Sequence, residues 1–404
     1  MTKKFINLLI LIFLFMPVLH ISCKHQNAEW KGTIEKFDGV QYVENLEVPK
    51  YSGKKSPQLF FKEDLRIPLK GALYSIDVSE DGIMYVLDIN AREIEIYDTD
   101  GRLLRQFGKK GQGPGEFTLP WHVSISPTND IFVLDKSTRK INVFDTQGNL
   151  NRSTDCPSSL GLLNSFIFDP SDHLYFYYTL STYRLKDKEK LSRGIIGINH
   201  LSKFNDNLEM MAEIYSCDYD FLKRSKEGES GGIIYNNIFY YQVDQIGNLY
   251  YGYSDKYEIY VLSPHGKLFR IIKKRAQPIK TTKGDRDHVL KEFTGLEEFK
   301  ESLALSDTKP FFSSFHLLEG IGLLVSTYEN EWNNEGVIYC DLFDPEGRYL
   351  AKVTVPQYYY WNQHELITEQ RNRLFKNGNC YSIRFNREND FLELVRHEVR
   401  LISP

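Results

Sequence analysis

Three segments carry residue types that could do chemistry. Gly228-Glu-Ser230-Gly-Gly232 fits the pattern G-x-S-x-G, which in a nucleophile elbow puts a serine on a sharp turn between a strand and a helix. Here a charged stretch precedes Ser230 and a strand-like run, residues 233–241, follows it. With no helix after the serine, the segment reads as a glycine-rich insertion. His364-Glu365 opens like a two-histidine zinc motif, but the fourth residue after the histidine is Thr368. Zinc is then left without its second imidazole on that helical face. Gly111-Gln-Gly-Pro-Gly115 is not followed by Lys-Ser/Thr, so it reads as a connecting turn and not as a phosphate cradle. Beyond Cys23 the cysteines are Cys156, Cys217, Cys340 and Cys380, none in C-x-x-C spacing. Four cysteines allow three connectivities. They are expected to be mostly buried thiols with room for one structural bridge.

The elements that would have to position any site begin after a distinctive N-terminus. Lys3 and Lys4 precede a run over residues 5–19 that is apolar except for Asn7 and Pro17. That length suits a signal-peptide core and is short of the roughly 20 residues of a membrane span. Ser22 and Cys23 follow, in the manner of a bacterial lipoprotein signal whose cysteine is diacylated on its thiol. The usual Leu three positions before the cysteine is replaced by His20, with Leu19 one position further back. The expected organisation is a signal peptide at 1–22, an anchor linker at 23–32 and a folded body at 33–404.

That body contains a repeat. Asp88, Tyr97, Asp98 and Gly101 recur 47 residues later as Asp135, Phe144, Asp145 and Gly148. Each unit reads as four short strands separated by Asp, Gly or Asn turns. In the first unit the strands are expected at 74–78, 83–87, 93–97 and 103–107. Four strands in about 45 residues is the size of a propeller blade. More divergent units follow near 173–205, 247–266 and 322–347, with the extra length in polar insertions near 186–193, 222–232 and 275–309. A sixth blade must combine both ends of the chain, because an open sheet edge is an aggregation hazard. Residues 380–385 and 391–399 supply the C-terminal strands. Val40–Asn45 is expected to complete the sheet, with Phe60-Phe61 as a further N-terminal strand. Composition agrees with an all-β chain: 26 Tyr and 26 Phe suit half-buried pleated surfaces. Lys+Arg 50 against Asp+Glu 54, a net charge of −4, offers no electrostatic case for nucleic acid.

Gly108-Lys-Lys-Gly-Gln-Gly-Pro-Gly-Glu-Phe117, Leu119-Pro120 and Phe132-Val-Leu-Asp135 resemble an NHL-type repeat. The chain is similar to six-bladed β-propeller lipoproteins of Gram-negative anaerobes, closely over residues 73–150 and more loosely to 353. The resemblance implies a propeller at the cell envelope and almost nothing about activity, since propellers serve as binders, lyases and hydrolases alike. Some propeller relatives are metal-dependent lactonases or lyases with ligands converging on the axis, where each innermost strand begins. Here the funnel-lining candidates are Tyr74, Trp121, His122, Asn164, Tyr240 and Ser314. One imidazole and no carboxylate is a poor set for Ca²⁺ or Zn²⁺, so no cofactor is expected. A small shift in placement would bring in Asp77, Asp88, Asp135 or Asp244, but Asp88 and Asp135 recur with the repeat and suit turns.

Two features remain. Val289, Phe293, Leu296, Phe299 and Leu303 form one apolar face of a helix expected over 285–305. The aromatic cluster at 358–361 is either packing or a surface for stacking on sugar rings or a protein partner. The leading functional expectation is an envelope-anchored binding or scaffold protein, attached to the membrane through Cys23. It would recognise a peptide, protein or glycan through the propeller funnel or the insertion-bearing face. The rival is a propeller lyase or lactonase acting on carbohydrate-derived substrates.

Overall fold

The computed structural model describes residues 29–71, 74–181, 197–219, 222–224, 230–292, 304–329, 337–356, 373–386 and 391–403. They form an all-β, six-bladed propeller. Blades 1 to 6 start with the innermost strands Tyr74–Val78, Pro120–Ile125, Leu162–Phe168, Phe239–Val243, Ser314–Leu318 and Arg373–Lys376. These six strands contact one another in sequence, and Arg373–Lys376 returns to Tyr74–Val78, which closes the ring.

Turn chemistry sets the blades. Asp98 Oδ1 accepts the backbone N–H of Asp100 at 3.0 Å and of Arg102 at 2.8 Å, and Gly101 takes φ +79°. Asp145, Asp244 and Asp344 repeat the arrangement with Gly148, Gly247 and Gly347. A side chain that caps the turn, followed by a left-handed residue, makes the tight hairpin. Where glycine is missing, Asp172 and Leu208 adopt the left-handed conformation. Asp88 and Asp135 also cap backbone N–H groups, at Asn90 and Ala91 and at Ser137 and Thr138. This accounts for their recurrence at the repeat period.

The blades hold together through six buried apolar clusters, one in each seam. The seam between blades 1 and 2 mixes aliphatic residues, Leu87, Ile94, Val123 and Val133, with the buried rings of Phe117 and Phe144. Tyr175, Phe239, Tyr241 and Tyr251 fill the seam between blades 3 and 4. Between blades 4 and 5, Asp341 is fully buried and accepts from Lys274 Nζ at 2.8 Å and from the Tyr257 and Tyr349 hydroxyls at 2.6 Å each. Burial, then the Asp341 charge, pushes the Tyr257 hydroxyl well above its ordinary value.

Ring closure differs from the expectation. Gln58–Leu69, not Val40–Asn45, completes blade 6, pairing antiparallel with Phe391–Ile402 from Leu392↔Leu69 to Ile402↔Gln58. The closing strand is amphipathic. Leu59, Ile67 and Leu69 are buried while charged neighbours face water, so its apolar content looks modest in the sequence. Val40–Asn45 instead adds in parallel to the outer strand of blade 4, Leu268–Lys274, and Thr33–Phe37 pairs beyond it. Asn45 locks that addition. It is fully buried, its amide donates to the Lys273 and Gly347 carbonyls at 2.9 Å, and its Oδ1 accepts from Tyr349 N at 2.7 Å and Trp30 Nε1 at 2.9 Å.

The expected helix begins at Lys283, two residues early, and is described as far as Glu292, while Ala304–Leu305 is a strand and not its last turn. Thr282 and Asp285 form its capping box: Thr282 N donates to Asp285 at 2.8 Å and Asp285 N to Thr282 Oγ1 at 3.2 Å. Phe293, Leu296, Phe299 and Leu303 lie outside the described residues. Cys156, Cys340 and Cys380 are buried, Cys217 is partly buried, and all four are free thiols.

Two expected outcomes follow from this architecture. A chain beginning after Lys50 should keep a cooperative thermal transition by circular dichroism, and one beginning after Leu69 should lose it. Asn45→Ala should cost about 2–3 kcal/mol in a denaturant titration, since it strands buried backbone groups.

Candidate functional site

The two ends of the propeller differ. In a four-stranded antiparallel blade, the links between strands 1 and 2 and strands 3 and 4 fall at one end. The links between strands 2 and 3, and from one blade to the next, fall at the other. At the first end every described turn is tight. Ten close with an i to i+3 backbone hydrogen bond, among them Ser79–Gly82, Asp98–Gly101, Asp169–Asp172, Asp244–Gly247 and Asp344–Gly347. The second end carries the long connections, between Ser181 and Gly197, Tyr219 and Phe239, Lys274 and Ser314, Ser326 and Val337, and Pro356 and Arg373. The innermost strands also start at that end, so it holds the entrance that the candidate residues were expected to line.

Two of the insertions build on each other. Leu222–Arg224 pairs with Ser230–Ile234, which pairs in parallel with Ala304–Leu305. Ser230 therefore lies in a strand, and no helix follows it. The buried Lys309 Nζ sits 2.6 Å from Asp285 Oδ1 and 4.8 Å above the Tyr235 ring. Burial raises the Asp285 carboxyl, but Lys309 and the Thr282 bonds outweigh it and hold the group down at about 2. The insertions before and after blade 4 thus form one small unit beside the entrance.

The axis itself is lined by polar groups that tie neighbouring blades. Asp77 of blade 1 accepts from Ile125 N at 2.8 Å and Ser124 Oγ at 3.0 Å in blade 2. Ser75 Oγ accepts from Val123 N at 3.2 Å and lies 3.5 Å from His122 Nδ1. His122 Nε2 lies 2.7 Å from the Phe166 carbonyl of blade 3. A carbonyl only accepts, so Nε2 carries the proton and Nδ1 can accept from Ser75. Ser165 meets the Tyr241 hydroxyl at 2.9 Å, and Gln242 Oε1 accepts from Leu317 N at 2.9 Å. Gln242 Nε2 is 3.3 Å from His316 Nδ1, and the His316 ring lies 5.0 Å from Phe375 of blade 6.

Of the residues singled out from sequence, His122 belongs to this ring of ties. Trp121 is half-buried at a bulge, with Lys136 Nζ 3.6 Å over its ring. Asn164 turns into its own blade, where its Nδ2 donates to Thr179 Oγ1 at 3.1 Å. Tyr240 is 1% exposed and packs between Phe312 and Phe315 in the seam of blades 4 and 5. Ser314 is fully buried, 3.5 Å from His316 Nε2. Tyr74 pairs through its backbone with Asp88, and its side chain lies outside the described residues. So do residues 358–361 and His364-Glu365. Among the described residues no three His, Cys, Asp or Glu groups cluster as a metal site would require.

Sequence reasoning missed Ser75, Ser165, Gln242 and His316. The signal was present for blades 1 and 2, because Ser75 and His122, like Asp77 and Ser124, are 47 residues apart. They occupy equivalent positions in consecutive blades and meet across the seam. Leu119 and Leu162 were missed as well. They lie at the entrance of blades 2 and 3 and are 40% and 60% exposed.

This geometry defines the class: the chain is a six-bladed β-propeller. Residues 69–240 match a family described as a 6-bladed beta-propeller, DUF5128. No curated protein matches the chain. Among solved structures it is similar to a member of the DUF4221 family from Bacteroides vulgatus, at 12% identity and TM-score 0.51, covering 87% of this chain and 100% of that one. A Bacteroides fragilis protein is similar at 13% identity and TM-score 0.49, with 89% and 99% covered. A virginiamycin B lyase from Staphylococcus aureus follows at 10% identity and TM-score 0.42, with 84% and 99% covered. At such identities the likeness is one of fold.

The axial ring carries a pH signature. Burial, helped by Arg373, pushes the His316 imidazole down to about 3, against about 6.5 in an unfolded chain. Below pH 6.5 the unfolded chain binds a proton that the folded ring refuses, so stability falls as pH drops from about 6.5 towards 3. Unfolding titrations should show about 2 kcal/mol lost to this group between pH 7 and pH 5. His316→Asn should remove that part of the slope.

Proposed function

We propose that this protein is an envelope-anchored binding protein that recognises a peptide, protein or glycan at the propeller end bearing the long connections. The observation that carries this reading is the asymmetry of the two ends: tight turns cover one, and the other holds the insertions, the paired unit beside blade 4 and the channel entrance. Binding residues concentrate on loops held by a rigid scaffold. The half-buried Trp121 and the exposed Leu119 and Leu162 give that entrance apolar contact surface, the kind that anchors a partner when water is excluded from it. The axial histidines and Gln242 are engaged in holding blades together, which supports recognition at the rim of the entrance above them. The Gly108–Phe117 segment, which connects blades 1 and 2, is the part that reads as an NHL-type repeat.

Anchoring belongs to the same proposal. Residues 1–22 act as a signal peptide and Cys23 is the lipid attachment site. The supporting features are the basic start, the apolar run and the small residue before the cysteine.

Two measurements test the proposal. On mixed glycan and peptide arrays, ligands retained by the protein should bind at least tenfold more weakly to Leu162→Asp and Trp121→Ala. Ile246→Asp, at a tight turn where Ile246 is 75% exposed, should bind as the parent does. Equal loss at both ends would refute recognition at the entrance. Separately, Cys23→Ser should release the protein from membranes and abolish incorporation of labelled fatty acid.

A further inference from the structure

We infer that the outer flank of blade 4, formed by the hairpin Thr33–Phe37/Val40–Asn45, docks onto a zwitterionic lipid bilayer. The inference rests on the proposed lipid at Cys23 and adds to it an orientation for the whole ring. Trp30 is fixed to this flank by its indole N–H, which donates to the buried Asn45 Oδ1 at 2.9 Å. Six residues, 24–29, separate Trp30 from Cys23. Seven steps of about 3.3–3.6 Å limit the reach from the lipid-bearing residue to about 25 Å. A propeller held by so short a leash at one blade keeps that blade against the membrane and turns the opposite blade away.

The flank has the surface such a position needs. Thr33–Phe37 is the outermost strand of a six-stranded sheet, and all five of its residues are exposed. Phe37 is 72% exposed and Ile34 41%, and Val48, just beyond the second strand, is 64% exposed. An unpaired sheet edge carrying large apolar side chains is a liability in water, and burying those side chains among headgroups and upper acyl chains removes it. Charge selects the kind of bilayer. Residues 29–48 hold Glu29, Glu35, Asp38, Glu44 and Glu47 against Lys31 and Lys36, a net of −3. Lys273 of the adjoining strand lies 3.5 Å from Glu44 and Arg270 donates to Gln41. These offset much of that charge and leave no basic excess to attract anionic headgroups, so contact is apolar and suits neutral phospholipid. Other exposed apolar pairs, such as Leu103 and Leu104 at 50% and 55% on the outer strand of blade 1, lie across the ring and beyond the leash.

The test uses the lipidated full-length protein in phosphatidylcholine–phosphatidylethanolamine vesicles, with an environment-sensitive fluorophore on Phe37→Cys or on Leu104→Cys and with Cys217→Ser in both. Position 37 should shift to the blue and be quenched by spin-labelled lipid at least threefold more than position 104. Adding anionic phospholipid should not increase that quenching. Fatty-acid labelling of Cys23 is followed in the same samples. If Cys23 carries lipid and the two positions are quenched alike, the docking inference is overturned while the anchor stands. If Cys23 carries no lipid, the leash is gone and both ideas fall.

Discussion

Everything in this fold depends on one antiparallel pairing between strands from opposite ends of the chain. Gln58–Leu69 lies along Phe391–Ile402 over their whole lengths. Without it blade 6 would lack its outer strand, and the apolar seams it shares with blades 5 and 1 would lose Leu59, Ile67 and Leu69. Each blade buries little by itself, and its hydrophobic faces are satisfied only by its two neighbours. A closed ring gives every blade two neighbours, whereas an open one would leave one seam unmade and its two apolar faces in water.

The same logic explains why polar and charged residues sit so deep. At the axis the innermost strands converge too closely for large apolar side chains on every strand, and backbone groups near the centre still need partners. Asp77, Ser75, Gln242 and His122 supply them across the seams. Between blades 4 and 5 the Asp341 carboxylate satisfies Lys274 and two tyrosine hydroxyls at once. A buried charge is tolerated when several hydrogen bonds surround it. These groups have the composition of an active site and the geometry of fasteners. The recognition proposed above is therefore placed at the entrance and not among these ties.

The N-terminal hairpin shows a second use of sheet edges. Blade 4 accepts Val40–Asn45 in parallel at its outer strand, and Asn45 ties this addition to the 3–4 turn of blade 5 through Gly347 and Tyr349. The hairpin is tied to the ring without taking part in closure.

Local chemistry alone settled the blade. The 47-residue recurrence of Asp and Gly positions set the strands of the first unit nearly to the residue, because side-chain caps and left-handed turn positions are properties of a few adjacent amino acids. The six-bladed architecture and the lack of a strand–turn–helix elbow at Ser230 followed from the same kind of reading. Only the tertiary structure decided which N-terminal strand closes the ring, since Val40–Asn45 and Gln58–Leu69 both alternate and pairing across more than 300 residues leaves no local trace. It also decided that Tyr240 and Ser314 are buried while Leu162 is exposed. A strand's period places side chains on alternate faces, but at the axis of a ring the exposure of each face depends on how closely the neighbouring blade approaches.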